Sequence, residues 1–126
     1  MLKAFNEKYN LGLPEHCLRI ASGFGAGMGE SGCACGAVTG ATMVFGLIAG
    51  RKKAYESNRL AFLATNELHR RFREKNKSTC CRILTRGVEW YSAEQKTLCE
   101  GYEMTSAEIA EEIIETQLAD HLRERS

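Results

Sequence analysis

The sequence predicts an all-α protein, a single compact domain of about five or six helices around a glycine-rich central helix. Of its 126 residues, 44% are hydrophobic and 26% are charged, which is typical of a soluble domain with one core. It has one proline and few alternating β-branched runs, whereas Leu, Ala, Glu, Lys and Arg recur at helical spacing. We find no linker or internal repeat, so residues 1–126 are expected to form one helical domain.

The first two helices are predicted from the signals at their ends. Residues 2–9 form a short helix that stops at Asn10-Leu-Gly12, where glycine suits a left-handed position. Pro14 fits the first turn of a second helix, which ends near Ser22. Its core-facing side chains are expected to be Cys17, Ile20 and Ala21. Residues 23–32 contain five glycines and are predicted to be a sharply bent loop.

A central helix is predicted within residues 31–50, a run of twenty residues without a charge. Such a run raises the question of a membrane span. Gly, Thr, Ser and Cys dilute it, however, and a lone span would leave the other amphipathic helices without a core partner. We therefore expect a buried helix and no membrane insertion. The glycines fall within one arc of about 120°, which predicts that another helix packs very close. These glycines are Gly36, Gly40, Gly46 and Gly50.

Three further helices are expected in the second half of the chain. The longest is predicted from Lys53 to about Lys75, burying Leu60, Ala61, Ala64, Leu68 and Phe72. A short helix over residues 78–86 begins at the cysteine pair, and residues 87–92 form a connection. The last helix is predicted to start at the capping box Thr105-Ser-Ala-Glu108 and to run to about Arg123. It is expected to bury Ile109, Ile113, Ile114, Leu118 and Leu122.

Charge is distributed unevenly, because residues 1–50 sum to zero, residues 51–86 to +8 and residues 87–126 to −7. The basic middle and the acidic end should therefore attract each other within the chain. This internal pairing explains the basic run His69 to Lys77 better than nucleic acid does, so we expect no nucleic-acid partner. No apolar signal segment opens the chain, and we expect a cytoplasmic protein.

Six cysteines carry the chemical signal of the sequence. Cytoplasmic thiols are normally reduced, so clustered cysteines indicate metal binding or redox chemistry before structural disulfides. No Cys-x-x-Cys occurs, and the absence of Cys-x-x-Cys-His excludes covalent haem. Cys17 is expected to fill core space. Three or four of the other thiols could converge on an iron-sulfur cluster, namely Cys33, Cys35, Cys80, Cys81 and Cys99.

Four segments together resemble a known family. They are Ala21-Ser-Gly-Phe-Gly-Ala-Gly-Met-Gly29, Cys35-Gly-Ala-Val-Thr-Gly40 and its continuation to Leu47, Cys81-Arg-Ile-Leu84, and Cys99. The chain resembles the redox-active C_GCAxxG_C_C proteins from about Leu2 to Ile114. The resemblance implies a helical domain similar to the non-haem part of split-Soret cytochrome c, in which cysteines can hold an iron-sulfur centre. The family pattern falls on Cys35, Gly36, Ala37, Gly40, Cys81 and Cys99.

The resemblance also leaves one ligand open. The family's first cysteine belongs ahead of the opening helix, where this chain has Met1. Either the start of the chain is clipped, or Cys33, Cys80 or a non-cysteine ligand completes the site.

Two redox hypotheses and one non-redox alternative follow. The first is an electron-transfer protein with a cluster on Cys35, Cys81 and Cys99, helped by Cys33 or Cys80, and with Gly27, Gly29 and Gly36 forming a backbone cradle. The second is thiol-disulfide exchange with Cys35 and Cys81 as the catalytic pair. The third is a zinc or other metal-binding module, or a structural helical protein whose cysteines have no redox role. We also expect a redox partner protein, consider a homodimer through the glycine face, and leave open whether the chain is an enzyme.

Overall fold

The computed structural model describes residues 1–124 and is all-α, as predicted. Short segments raise the number of α-helices in this part of the chain to seven, above the predicted five or six. In order they are α1 (Leu2–Tyr9), a 3-10 helix (Glu15–Phe24), α2 (Gly25–Met28), α3 (Gly36–Ala49), α4 (Arg59–Asn76), α5 (Cys81–Leu84), α6 (Ala93–Thr116) and α7 (Ala119–Glu124). None of the helices in these residues combines the length and apolar composition that crossing a bilayer requires.

The core lies where α3, α4 and α6 pack against one another, with α1 against α3 and α7 against α3 and α6. Its largest fully enclosed side chains include Phe45, Phe72, Leu68, Ile113 and Ile114. An ion pair between Arg71 and Glu112 joins α4 to α6 at 2.6 Å. This pair confirms that the basic middle of the chain attracts its acidic end.

The first part of the chain follows its prediction except in the 3-10 helix. Helix α1 has its predicted bounds, and Asn10 closes it with a left-handed backbone at φ 50°. The second helix has 3-10 geometry, so its three-residue turn brings Leu18 and Ala21 toward the core instead of Ile20. Ile20 is 67% exposed, and the prediction that it faces the core is wrong. Cys17 is half-buried and lies outside the hydrophobic core.

Helix α6, and not the helix in residues 53–75, is the longest in the described chain. Residues 53–58 form a bend, a turn and irregular backbone. Helix α4 begins only at Arg59, whose N–H donates to Ser57 Oγ at 3.0 Å. Helix α6 starts twelve residues before Thr105, because Ser92 caps it by accepting a hydrogen bond from Gln95 N at 3.1 Å. The predicted helix start at Thr105 is therefore wrong.

Close packing on the glycine face of α3 is limited to one position. A Cβ on Gly40 would lie 2.8 Å from Met1 Cβ, so the start of α1 occupies that surface. Gly46 has no neighbour within 4 Å of such a Cβ, and Gly50 lies beyond the end of the helix. The predicted helix contact along all four glycines is therefore wrong.

Candidate functional site

Two cysteine segments lie side by side at the start of α3. Ala34 and Cys80 form an isolated antiparallel bridge. The N–H of Cys35 donates to the Thr79 carbonyl at 2.9 Å, and the N–H of Cys81 donates to the Cys33 carbonyl. These bonds hold the Cys33-Ala-Cys35 segment against the Cys80-Cys81 pair. Cys80 is therefore extended, and the short helix predicted over residues 78–86 is limited to α5.

The glycine loop packs on these segments through a left-handed turn. Ala26 and Gly27 have φ values of 53° and 67°, and the carbonyl of Gly27 accepts the N–H of Cys33 at 2.9 Å. A Cβ on Gly27 would lie 2.6 Å from Cys81 Cβ. Only glycine leaves this contact free of overlap. The turn also places Ala26 in a conformation that costs a residue with a side chain about 1 kcal/mol.

Cys99 reaches the site from α6, because the helix begins earlier than predicted. Ser92 Oγ accepts from Gln95 N–H, Gln95 Oε1 accepts from Tyr91 N–H, and this helix start places Cys99 one turn beyond Gln95. The Ser106 hydroxyl donates to the Ala37 carbonyl at 2.7 Å and ties α6 to the first turn of α3. The Tyr102 hydroxyl similarly ties α6 to α5 through the Leu84 carbonyl.

The cysteine segments, the glycine loop and α6 line one pocket of about 300 Å³. Cys35, Cys81 and Cys99 all line it, and so do Gly27 and Gly36. Trp90 and Tyr91 form part of its wall, and the Tyr91 hydroxyl donates to Glu30 Oε1 at 2.7 Å. The structure thus brings together the three cysteines that match the family pattern, from positions far apart in the chain.

Burial is the main influence on the pocket thiols, and it raises the pKa of Cys35, Cys81 and Cys99. For Cys35, the backbone N–H groups of Ala37 and Val38 lower the pKa, whereas negative charge on Cys81 or Cys99 raises it. Negative charge on Cys81 likewise raises the pKa of Cys99. The three thiols therefore influence one another, and the start of α3 favours a negative charge at Cys35.

Cys33 and Cys80 lie on the outer side of Cys81. Cys33 is exposed, and its thiol donates to the Ser31 carbonyl at 3.8 Å. Cys80 is half-buried, and its thiol donates to the Gly32 carbonyl at 3.4 Å. After burial, charges on Cys80 and Cys33 are the next effects that raise the pKa of Cys81. Cys81 thus lies between Cys35 and Cys99, which line the pocket, and Cys33 and Cys80, which do not.

Some residues lie elsewhere than the sequence suggested. Gly29 is exposed and does not line the pocket. Sequence reasoning missed several lining residues, and the Ser92-x-x-Gln95 box was the signal that would have located those on α6. The missed residues are Gly25, Ala26, Trp90, Tyr91, Gln95, Lys96 and Glu103.

Whether the pocket residues suit a metal depends on whether they would hold one ion or a cluster of several. Within residues 1–124, no three His, Cys, Asp or Glu side chains are grouped so that they could hold a metal ion. This geometry gives no support to the zinc alternative, which needs several ligands around one ion. Cys35, Cys81 and Cys99 instead line a pocket, and these residues would hold an iron-sulfur cluster, which would supply one-electron chemistry. The donor set fits such a cluster in kind, with three thiols and the N–H groups at the start of α3.

Comparison with known proteins bears on this arrangement. The sequence model of the C_GCAxxG_C_C family, described as "Putative redox-active protein", matches residues 1–113. The chain belongs to this family. The C_GCAxxG_C_C assignment confirms the resemblance drawn from Cys35, Cys81, Cys99 and the glycine loop. No curated protein and no solved structure matches the chain, so the likeness to split-Soret cytochrome c stays a prediction.

Proposed function

We propose that this member of the C_GCAxxG_C_C family is an electron-transfer protein whose centre is an iron-sulfur cluster held by Cys35, Cys81 and Cys99. One observation carries the proposal: three thiols from three separate segments line a single pocket of about 300 Å³. Free buried cysteines that only fill core space would not need to meet around a cavity.

The surroundings of the pocket suit a negatively charged centre. Helix α3 begins at the pocket, and the N–H groups of Ala37 and Val38 in its first turn act to lower the pKa of Cys35. Gly27 and Gly36 allow the backbone to approach the pocket without a side chain. When bound, a cluster would supply one-electron transfer. Cys80 is the further thiol that we assign as a fourth ligand, since its charge has a larger effect than that of Cys33 on the pKa of Cys81.

Anaerobic reconstitution with ferrous iron and sulfide tests the proposal. We expect the wild-type protein to bind both elements and to develop visible absorption. Cys35→Ser, Cys81→Ser and Cys99→Ser should each lose most of this absorption, because each removes one pocket thiolate. Cys17→Ser is the matched control, since Cys17 does not line the pocket. A wild-type protein that stays colourless, or equal losses in the control, would contradict the proposal.

A second candidate is thiol-disulfide exchange between Cys35 and Cys81. Its support is that negative charge on Cys81 reaches Cys35, which lies at the start of a helix. Burial opposes it by raising the pKa of both thiols and so lowering their thiolate fraction. Peptide mass spectrometry of air-oxidised protein distinguishes the two candidates, because exchange requires a reversible Cys35–Cys81 bond. The redox partner, the homodimer and the cytoplasmic location remain predictions.

A further inference from the structure

The bridge between the two cysteine segments determines which of their residues face each other. Ala34 lies opposite Cys80, and the antiparallel register continued by one residue pairs the backbone of Cys33 with that of Cys81, the first residue of α5. The hydrogen bond from Cys81 N–H to the Cys33 carbonyl agrees with this register. Opposite residues in an antiparallel ladder have Cα atoms about 4.5–5.5 Å apart. Disulfides need about 4.4–6.8 Å, so the backbone spacing suits a bond between these two cysteines.

Exposure distinguishes the two members of this pair. Among the cysteines of the described residues 1–124, Cys33 is the one that is exposed, whereas Cys81 is 7% exposed. A small oxidant therefore reaches Cys33 first, from solvent. Cys33 also lies outside the pocket lining, so its thiol is not needed by the three pocket cysteines.

We infer that Cys33 and Cys81 form a reversible disulfide couple that low-molecular-weight disulfides oxidise from the protein surface. In the first step the Cys33 thiolate attacks the small disulfide, a bond forms between Cys33 and one half, and the other half leaves as a thiolate. The Cys81 thiolate then attacks the Cys33 sulfur and releases the second half. The protein loses two protons and two electrons, and the small disulfide becomes two thiols.

Formation of this bond would withdraw Cys81 from the pocket. This consequence rests on the proposed function, because only a cluster held by Cys81 can be lost in this way. The bond itself does not depend on a cluster. Oxidation of Cys33 would thus act as a switch that prevents assembly of the centre until a reductant restores both thiols.

Mass spectrometry of the metal-free protein treated with oxidised glutathione tests the couple. We expect the wild type to lose two hydrogen atoms and to show a cross-link between the peptides that contain Cys33 and Cys81. Cys33→Ser should lose the cross-link. Cys81→Ser should stop at a glutathione adduct on Cys33, because the resolving thiol is absent. Far-ultraviolet circular dichroism verifies that each variant is folded.

Two matched variants identify which cysteines form the disulfide, since Cys35 and Cys80 lie close in sequence to the proposed pair and fall in the same peptides. Cys80→Ser and Cys35→Ser should both keep the cross-link. Loss of the cross-link in Cys80→Ser, its survival in Cys33→Ser, or its absence from the wild type would overturn the inference.

Reconstitution then separates the couple from the proposed function. Wild-type protein oxidised beforehand should lose most of its iron uptake and regain it after reduction, whereas Cys33→Ser should keep its uptake after the same treatment. If no variant takes up iron under any condition, the cluster proposal fails while the mass result still decides the couple. Equal loss of uptake in oxidised Cys33→Ser would overturn the role of Cys33 as the switch.

Discussion

The helical core and the cysteine pocket are built by different means. In the core, Phe45, Leu68 and Ile113 are fully enclosed side chains on regular helices. Around the pocket, a left-handed turn and a short backbone ladder hold the cysteine segments in place. Apolar burial therefore stabilises the first region, whereas hydrogen bonds and the small size of Gly27 shape the second. We therefore expect core mutations to change mainly the stability of the protein, and mutations around Gly27 to change mainly the geometry of the pocket.

The largest effect on stability is expected in the core. Phe72→Ala should lower the free energy of unfolding by about 3–5 kcal/mol, because Phe72 is 0% exposed between α4 and α6. Urea denaturation measures this loss. Phe62→Ala, on the same helix but 64% exposed, is the control and should change stability by less than about 0.5 kcal/mol. Similar losses in both variants would contradict the location of the core.

A smaller loss of stability, with a larger effect on the site, is expected at Gly27. Gly27→Ala should cost about 1–3 kcal/mol, because the added Cβ would lie 2.6 Å from Cys81 Cβ and 2.8 Å from Cys33 N. Alkylation of Cys81 should become faster as the loop moves away. Gly23→Ala is the control, since its Cβ has no neighbour within 4 Å. Unchanged alkylation in Gly27→Ala would show that the turn does not shape the pocket.

The start of α6 gives a test of about 1 kcal/mol. Ser92→Ala should lower the free energy of unfolding by about that amount, because it removes the acceptor for Gln95 N. Thr105 lies inside the helix and donates to the Gly101 carbonyl at 3.0 Å, so Thr105→Ala should have little effect. Thermal denaturation of both variants distinguishes a start of α6 at Ser92 from a start at Thr105. A larger loss for Thr105→Ala would favour the later start.

The smallest effect is a pH dependence from the buried thiols. Burial raises the pKa of Cys35 above its unfolded value, so the folded state prefers the neutral thiol. This contribution to stability is fully present below the ordinary thiol pKa of about 8.5 and is lost as pH rises through the higher folded value. Urea unfolding at neutral and alkaline pH should therefore show that the free energy of unfolding falls less steeply with rising pH in Cys35→Ala than in the wild type. A slope unchanged by the substitution would exclude Cys35 as its source.

The fold could be predicted in class and in most of its core, because helical periodicity depends on neighbouring residues. Ile109, Ile113, Ile114 and Leu118 are buried as expected. Helix starts were harder, since the chain offers two capping boxes and the sequence does not say which is used. The helix start at Ser92 places Cys99 inside a long helix, ahead of the start predicted at Thr105.

The sequence could predict which cysteines and glycines form the site, but not how they are arranged in space. The glycine loop and the cysteines pointed to one region, because their residue types are informative without coordinates. The Ala34–Cys80 bridge joins segments far apart in sequence and has no local signal. The placement of Trp90 and Tyr91 beside the thiols depends on the same long-range packing. Such contacts follow from how helices dock, which periodicity alone does not give.

The bridge between the cysteine segments also orders events during folding. Ala34 and Cys80 can pair only after α3 and α4 have folded back on each other, because these helices make up the chain between them. Cys99 reaches the site on α6, which packs on both helices. A chain leaving the ribosome therefore presents Cys33 and Cys35 well before Cys80, Cys81 and Cys99 are made. Any oxidation of Cys33 or Cys35 in that interval would precede the synthesis of the thiols that lie near them in the folded protein.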